Sequence, residues 1–386
     1  MQKKEWPNYS KNLISKVIKV IKSGNINYTT GIYGREFERS FSKFVGNKFS
    51  VAICNGTAAL EVAIKSLKLP KNSEIIVPAR SFFSSASCIV NTGNVPVFAD
   101  VDIKTQNICV EEIKKKINKK TKAIICVHLG GLPCDMRRII KLVKKKNIKI
   151  IEDCSQAHGA SIRNKQVGSF GEVATWSFCT DKIISTLGEG GMISTNNKGI
   201  YKYCKKYINH GTNVSKKNNT EKFIYNKDTF GTNLRITEIQ SVAGIEQLKN
   251  IKQIQKKREK MSKDFFKIIS KYKKYLDCYM PDRNIKNAWY RFYFIVKPNL
   301  LLKKIRFKII ENFKNNNIKC YTGACPEIYL EKSFKNLKNL KIKRLKNCKI
   351  LGESTVALDV NHTITKQKHQ ANLKNIQKTL KTIYKH

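Results

Sequence analysis

The first two-thirds of the chain alternate short apolar runs with longer amphipathic stretches. Short, β-branched apolar runs are typical of strands, and apolar residues at every third or fourth position are typical of helices. The pattern predicts strands at 50–54, 74–77, 95–98, 123–127, 148–151, 173–178 and 192–194. It predicts helices between several of them, at 57–67, 110–117 and 136–146. This alternation predicts an α/β fold with a mostly parallel central sheet covered on both faces.

The pattern changes after about residue 235. It predicts a long helix at 236–269, with a possible break, and then a strand at 289–296. Further helices are predicted at 303–313 and 366–384. We therefore expect a large α/β domain at 1–250, including an N-terminal helical segment, and a smaller α+β domain at 251–386.

The charge of the chain is its most unusual bulk property. The 386 residues include 75 Lys plus Arg against 28 Asp plus Glu, a net charge of +47. Such a charge suggests a partner that is a nucleic acid or an anionic membrane. However, 63 of the basic residues are lysines, and they are spread along the whole chain with many Asn and Ile, which share A/T-rich codons. Since no nucleic-acid-binding motif is found either, coding composition explains the charge better than a nucleic acid or membrane partner, although a basic nucleic-acid-binding protein stays an alternative.

Apolar runs and cysteines exclude several other classes. No run of 18 apolar residues occurs, so no transmembrane helix is predicted. Lysines interrupt the apolar positions near the N-terminus, so no secretory signal is predicted. The 12 cysteines are scattered, without a C-x-x-C pair, and the six histidines show no metal-ligand spacing. We therefore expect reduced thiols, a cytoplasmic location and no metal site.

Two strand ends carry candidate binding residues. Gly56 and Thr57 follow the first strand and open a helix, where free backbone N–H groups can bind an anion. A tight turn with Thr as its helix cap would give the same sequence. Asp153 ends a buried strand, where it can hold a cationic ring nitrogen, and Gln156 follows with an amide. An Asp in this position is as often a helix cap.

Two further segments add a nucleophile and a polar helix start. Lys182 follows an apolar strand and precedes the glycine-rich turn at 188–191. A partly desolvated lysine can have a lowered pKa and form a Schiff base, although a surface lysine is the simpler interpretation. Asn233 and Thr237 precede the long helix, and either residue could simply cap it.

The order of these segments is more specific than any one of them. The chain carries Asn-Gly-Thr-Ala-Ala-Leu, Glu-Asp-x-x-Gln-x-x-Gly-Ala, Ser-Phe-x-x-x-Lys with Gly-Glu-Gly-Gly, and Asn-x-Arg, in that order. In this it resembles the DegT/StrS family of sugar aminotransferases that depend on pyridoxal phosphate (PLP). The resemblance covers nearly the whole chain, through further stretches at 34–41, 77–82, 95–102, 127–131 and 246–248.

The resemblance implies a fold, a cofactor and roles for individual residues. The fold is that of the fold-type-I PLP-dependent transferases, as in aspartate aminotransferase. Lys182 is the position that forms the Schiff base with PLP, and Asp153 the position that pairs with its ring nitrogen. Gln156 lies near the phenolic oxygen of PLP, and Phe82 stacks on the ring.

The same resemblance implies a phosphate site that is shared between subunits. Three of its positions are on one subunit: Gly56, Thr57 and Ser177. Asn233 is the contact that the neighbouring subunit donates. A composite site of this kind requires a homodimer.

The implied activity is transfer of an amino group, from glutamate, to a nucleotide-linked keto-sugar in glycan or lipopolysaccharide biosynthesis. Family members with His in place of the lysine are dehydratases, so Lys182 favours aminotransfer, while a dehydratase and a non-catalytic PLP-binding relative stay as alternatives. Many members carry a His-Tyr-x-Pro-like stretch where this chain has residues 319–329. This departure predicts a specialised sugar pocket, and we assign Tyr321 no role beyond proximity.

Overall fold

Helices and strands follow one another along the chain largely as the hydrophobic pattern predicts. The computed structural model describes residues 5–212, 227, 229–297, 302–337 and 343–384. The strands in these ranges are β1 (Phe49–Ile53), β2 (Glu74–Pro78), β3 (Val95–Ala99), β4 (Thr121–Val127), β5 (Lys149–Asp153), β6 (Ser161–Ile162), β7 (Lys165–Gln166), β8 (Val173–Ser177), β9 (Gly191–Thr195), β10 (Leu276–Cys278), β11 (Ile285–Lys286), β12 (Arg291–Val296), β13 (Cys320–Tyr321) and β14 (Thr355–Asp359). The α-helices are α1 (Lys11–Lys22), α2 (Tyr33–Val45), α3 (Gly56–Ser66), α4 (Ser84–Asn91), α5 (Val110–Lys116), α6 (Met136–Val143), α7 (Lys198–Tyr207), α8 (Glu238–Lys249), α9 (Ile251–Ile269), α10 (Leu302–Asn315), α11 (Lys332–Lys335), α12 (Lys346–Ser354) and α13 (Lys366–Ile383).

A seven-stranded sheet in the order β1-β9-β8-β5-β4-β2-β3 forms the large lobe together with the helices that cover it. β9 runs antiparallel to both of its neighbours, and the remaining pairs are parallel. All seven strands predicted in the first two-thirds of the chain belong to this sheet, with bounds that differ by at most two residues. The predicted α/β class with a mostly parallel central sheet is confirmed.

Both faces of the large sheet are buried. Ile75 packs in the core that α3 and α4 share, and its neighbour Ile76 packs in the core of α5 and α6. Successive side chains of a strand point to opposite faces, so a strand covered on both faces is apolar throughout. Burial of each isoleucine side chain favours folding by about 1.5–3 kcal/mol, relative to leaving the side chain exposed to water. This is why the strands appear in the sequence as short, uninterrupted apolar runs.

The predicted long helix is two helices. Thr237 caps α8 and accepts a hydrogen bond from the backbone N–H of Gln240, whose side chain accepts one from the Thr237 N–H in return. Asn250 ends α8 and precedes α9. The cap interpretation of Thr237 is thus confirmed, and the break falls inside the predicted range. Within the described ranges, no helix combines the length and the apolar character needed to cross a membrane.

A four-stranded antiparallel sheet, in the order β10-β12-β14-β13, forms the small lobe with α9, α10 and α13. Its core includes Phe292, Phe294 and Phe313, all buried. The division of the chain into 1–250 and 251–386 stays a prediction. Several residues beyond that boundary nevertheless pack into the core of the large sheet: Ile328, Tyr329, Phe334, Cys348 and Leu351.

Hydrogen bonds tie segments that flank the small sheet to one side of the large sheet. Both carboxylate oxygens of Asp100, next to β3, accept from the first turn of α12, at 2.9 Å from the backbone nitrogens of Asn347 and Cys348. The backbone N–H of Ser81 donates to the carbonyl of Cys325 at 3.2 Å. These contacts bring the loop after β13 to the carboxyl end of β2.

The twelve cysteines are all free thiols. Seven of them are buried. Burial raises the pKa of the Cys88 and Cys126 thiols well above their usual range, so both stay protonated and behave as small apolar side chains.

Candidate active site

A cavity of about 650 Å³ lies between the two lobes, at the carboxyl ends of the parallel strands. Ligands of open α/β sheets bind at such strand ends. Seven of the eight residues predicted from the sequence line the cavity: Gly56, Thr57, Phe82, Asp153, Gln156, Ser177 and Lys182. The fold therefore brings together side chains from segments that lie far apart in the sequence.

The N-terminus of α3 forms one end of the cavity. Asn55 caps this helix and accepts from the backbone N–H of Ala58 at 2.8 Å, so Thr57 is not the cap. A Cβ atom at Gly56 would lie 2.7 Å from the Cβ of Ser177, and only glycine permits this approach. The result is a helix N-terminus next to a hydroxyl group, an arrangement suited to an anion.

Asp153 is the last residue of β5 and is buried. Its Oδ2 accepts from the Ser85 hydroxyl at 2.9 Å, and its Oδ1 accepts from the backbone N–H of Ser155 at 3.1 Å. The Ser81 and Ser85 hydroxyls lie 2.9 Å apart and form a second hydrogen bond. No helix follows Asp153 directly, so the helix-cap interpretation is wrong. The carboxylate is held in a fixed orientation at the cavity.

Gln156 and Phe82 contribute an amide and an aromatic ring. Gln156 Oε1 accepts from the backbone N–H of Gly130 at 2.7 Å, which fixes the orientation of the amide. Phe82 lines the cavity with 65% of its surface exposed. An aromatic side chain this exposed leaves a ring face available for contact with a planar group.

Lys182 lies in the loop between β8 and β9, with 15% of its side chain exposed. Its Nζ lies 3.5 Å from Asp181 Oδ1 and 5.1 Å from the centre of the Tyr290 ring. The Tyr290 hydroxyl donates a hydrogen bond to Asp181 Oδ2. The interpretation of Lys182 as an ordinary surface lysine is therefore wrong, because its side chain lines the cavity with its amine close to the Asp181 carboxylate and the Tyr290 ring.

The small lobe supplies a wall that the sequence did not reveal. Arg291 contacts the rings of Tyr290 and Tyr321, with its guanidinium carbon 4.5 and 4.9 Å from the two ring centres. Arg291 also pairs with Asp359, and this carboxylate offsets the lowering of the Arg291 pKa by burial, so that the pKa is raised. Residues 323–325 complete this wall. The segment at 319–329 that departs from the family pattern thus borders the cavity.

Asn233 lies outside the cavity of its own chain. It is exposed, and it forms an isolated antiparallel bridge with Asn209. Its side-chain oxygen accepts from the backbone N–H of Arg235 at 3.4 Å.

A buried polar cluster lies behind the site. His128, Glu152 and Cys154 are close enough together to share a metal ion. However, Glu152 already accepts from the backbone N–H groups of residues 168, 170 and 171 and pairs with His128 Nε2 at 3.1 Å. Burial would raise the pKa of Glu152, but these partners outweigh it and lower the pKa. Its oxygens are thus engaged in holding the loop after β7.

Comparisons with known proteins agree with this geometry. A model of the DegT/DnrJ/EryC1/StrS aminotransferase family matches residues 7–377. A GDP-perosamine synthase of Escherichia coli O157:H7 is 39% identical over 59% of this chain, which spans 61% of that protein. A solved aminotransferase from Psychrobacter cryohalolentis has a TM-score of 0.95 at 36% identity, covering 98% of this chain and 99% of that one. For E. coli GDP-4-keto-6-deoxy-D-mannose-3-dehydratase with bound hydrated PLP, the TM-score is 0.87 at 27% identity, covering 96% and 97%.

Proposed function

Because the chain belongs to the DegT/DnrJ/EryC1/StrS aminotransferase family, we propose that it is a PLP-dependent aminotransferase that moves an amino group onto a nucleotide-linked keto-sugar. Glutamate is the proposed donor. The observation that carries the proposal is the presence of Lys182, Asp153 and the N-terminus of α3 in one cavity between the lobes.

The residues of the cavity fit PLP. Gly56 and Thr57 line the cavity at the N-terminus of α3, next to Ser177, and together these residues can hold the phosphate. Asp153 is ordered by two hydrogen bonds and would pair with the ring nitrogen. Gln156 and Phe82 would contact the phenolic oxygen and the ring. When bound, PLP supplies an electron sink for the substrate carbon.

Lys182 carries out the proton chemistry in this proposal. Its amine would hold PLP when the cofactor is bound and, once free again, would move a proton at the substrate carbon. A neutral amine is needed for the second task, and only 15% of the Lys182 side chain is exposed, which limits its contact with bulk water.

Dehydration on the same scaffold is the second candidate function. The similar structure from E. coli is named a GDP-4-keto-6-deoxy-D-mannose-3-dehydratase. Dehydratases of the family carry His where this chain has Lys182, so the lysine favours aminotransfer.

We further propose a homodimer, with Asn233 reaching the phosphate site of the neighbouring subunit. The exposed position of Asn233, outside its own cavity, supports this arrangement. GDP-perosamine synthase and a spore coat polysaccharide biosynthesis protein of Bacillus subtilis are among the similar proteins. They support a role in glycan synthesis. We propose that this synthesis takes place in the cytoplasm and that lipopolysaccharide is among its products.

Absorption spectroscopy tests the proposal. We expect the purified protein with PLP to show a Schiff-base band that glutamate converts to the pyridoxamine form. GDP-4-keto-6-deoxy-D-mannose, and a panel of other nucleotide-linked keto-sugars, would then be tested for restoring the band. A protein that shows no such band after addition of PLP would sink both the aminotransferase and the dehydratase proposal.

Substitution of Lys182 tests the role of this residue by the same spectroscopic measurement. We expect Lys182→Ala to lose the covalent band while still binding PLP, because the phosphate and ring contacts remain. The exposed Lys114 on α5 provides the control, and Lys114→Ala should keep the band. Turnover with glutamate in Lys182→Ala would contradict the role of Lys182.

A further inference from the structure

The residue directly before Lys182 is a carboxylate that the proposed function does not use. Asp181 lines the same cavity, with Oδ1 3.5 Å from Lys182 Nζ. We propose that Asp181 is a positioning residue that keeps the nitrogen of Lys182 protonated while this nitrogen carries the cofactor. The inference rests on the proposed function, since it concerns the resting state of the same site.

Distance singles out Asp181 among the acids of the cavity. Asp153 and Glu189 also line it, but among the described residues only Asp181 places a carboxylate oxygen within 4.0 Å of Nζ. An opposite charge within about 4–6 Å favours the charged form of a titrating group by about 1–3 pKa units. Because 48% of the Asp181 side chain is exposed, we expect an effect at the lower end of this range.

Tyr290 holds the carboxylate in place. Its buried hydroxyl donates to Asp181 Oδ2, which leaves Oδ1 directed at Lys182. Burial would raise the pKa of Asp181, but Lys182, the hydrogen bond from Tyr290 and the charge of Arg291 together lower it. The pKa of the Tyr290 hydroxyl itself is raised by burial, so it stays a neutral donor. Asp181 is therefore ionised throughout the neutral range.

The charges around this pair do not cancel the effect. Titratable or charged groups near Asp181 and Lys182 lie in their own loop, in the loop after β5, directly before β12, and on β12, β13 and β14: Cys179, Glu189, His158, Tyr290, Arg291, Tyr321 and Asp359. Burial lowers the pKa of His158 to about 3, so it is neutral here. Arg291 is paired with Asp359. One uncompensated carboxylate thus remains next to Nζ.

Protonation of this nitrogen changes the reactivity of the resting enzyme. A protonated imine nitrogen makes the attached carbon a better electrophile for an incoming amine. Asp181 would keep the resting enzyme in this reactive form at neutral pH, where an isolated imine would lose its proton more readily.

A pH titration of the Schiff-base band in the PLP-loaded protein tests the inference without any sugar substrate. We expect Asp181→Asn to lower the apparent pKa of the band by about 1 unit, because the neutral amide no longer stabilises the cation. Asp181→Glu should restore much of the shift. Glu111→Gln removes an equal charge from an exposed site on α5 and should leave the pKa unchanged.

The outcomes separate the two proposals. A band in the wild-type protein whose pKa is the same in Asp181→Asn, or higher, would overturn the role of Asp181 and leave the proposed function standing. Absence of the band from the wild-type protein would overturn the proposed function and this inference with it.

Discussion

The guanidinium of Arg80 lies against the backbone of Gly323, so that a Cβ atom at position 323 would be 2.7 Å from Arg80 Nη2. Arg80 is fully buried next to the carboxyl end of β2, and Gly323 belongs to the cavity wall from the small lobe. Arg80 Nε donates to Gln106 Oε1 at 3.0 Å, and Nη1 donates to the carbonyl of Ala324 at 3.2 Å. This pair of residues sets how closely the small-lobe wall approaches the carboxyl end of β2.

Gly323→Ala should disturb that wall. Gly323 has a φ of +94°, where an L side chain is strained, and the added methyl group would also collide with Arg80. Gly24→Ala is the control, because its φ is also positive, at +69°, but nothing lies within 4 Å of the added atom. We expect Gly24→Ala to cost about 1 kcal/mol in the free energy of unfolding and Gly323→Ala about 1–3 kcal/mol more. Equal costs in urea denaturation would show that the contact with Arg80 does not matter.

Asp153→Asn should impair the cofactor chemistry rather than the fold. Its carboxylate is the charge available to a ring nitrogen, and an amide cannot replace it. We expect the rate of the glutamate-induced spectral change to fall by at least about 10²-fold. Ser85→Ala removes only the hydrogen bond to Oδ2 and should cause a loss of about 10-fold, or roughly 1.4 kcal/mol. A wild-type rate in Asp153→Asn would contradict the ring-nitrogen assignment.

The strands of the large sheet were predicted well from the sequence, because the apolar run that marks each strand is a local pattern. Ile75 and Ile76 are both buried on opposite faces, so the strand is a continuous apolar run. Lys182 was harder to identify from the sequence, because it is one of 63 lysines and only the order of the neighbouring motifs distinguishes it. Arg80 and Tyr290 were not predicted, because their roles depend on contacts between segments more than 100 residues apart. No local pattern encodes such contacts.

Two buried histidines predict a pH dependence of stability. Burial lowers the pKa of His158 and His362 to about 3, from an ordinary value of 6.5. Below pH 6.5 the unfolded chain therefore binds protons that the folded chain does not, and stability falls as the pH falls toward 3. Each histidine contributes a slope of about 1.4 kcal/mol per pH unit.

His158→Phe should remove one of these two slopes. The ring of Phe can keep the contacts that His158 makes with Trp176 and Phe178, whose ring centres lie 5.4 and 5.5 Å away. The measurement is the free energy of unfolding in urea at several pH values between about 6.5 and about 5. An unchanged slope in the variant would mean that His158 is already charged in the folded protein.

An ion pair between the buried Glu38 and the partly buried Lys205 supports the N-terminal part of the large lobe. Lys205 Nζ lies 3.1 Å from both oxygens of Glu38, which also accepts from the Tyr28 hydroxyl at 2.9 Å. Lys205→Met should lower the free energy of unfolding by about 3–5 kcal/mol, because it leaves the Glu38 carboxylate buried without a cation. Adding Glu38→Gln should recover part of this loss. Lys202→Met, at an exposed position of the same helix, should change little, and an equal loss there would refute the explanation.

The cap that Asp100 provides to α12 has a consequence for motion between the lobes. One carboxylate of the large lobe satisfies two backbone amides at the start of a helix that packs against both lobes. A hinge rotation that carried α12 away with the small lobe would leave those amides and the carboxylate without partners. Substrate entry is therefore better served by displacement of side chains and loops around the cavity than by swinging of the whole small lobe. For the same reason, we expect the two lobes to melt as one cooperative unit.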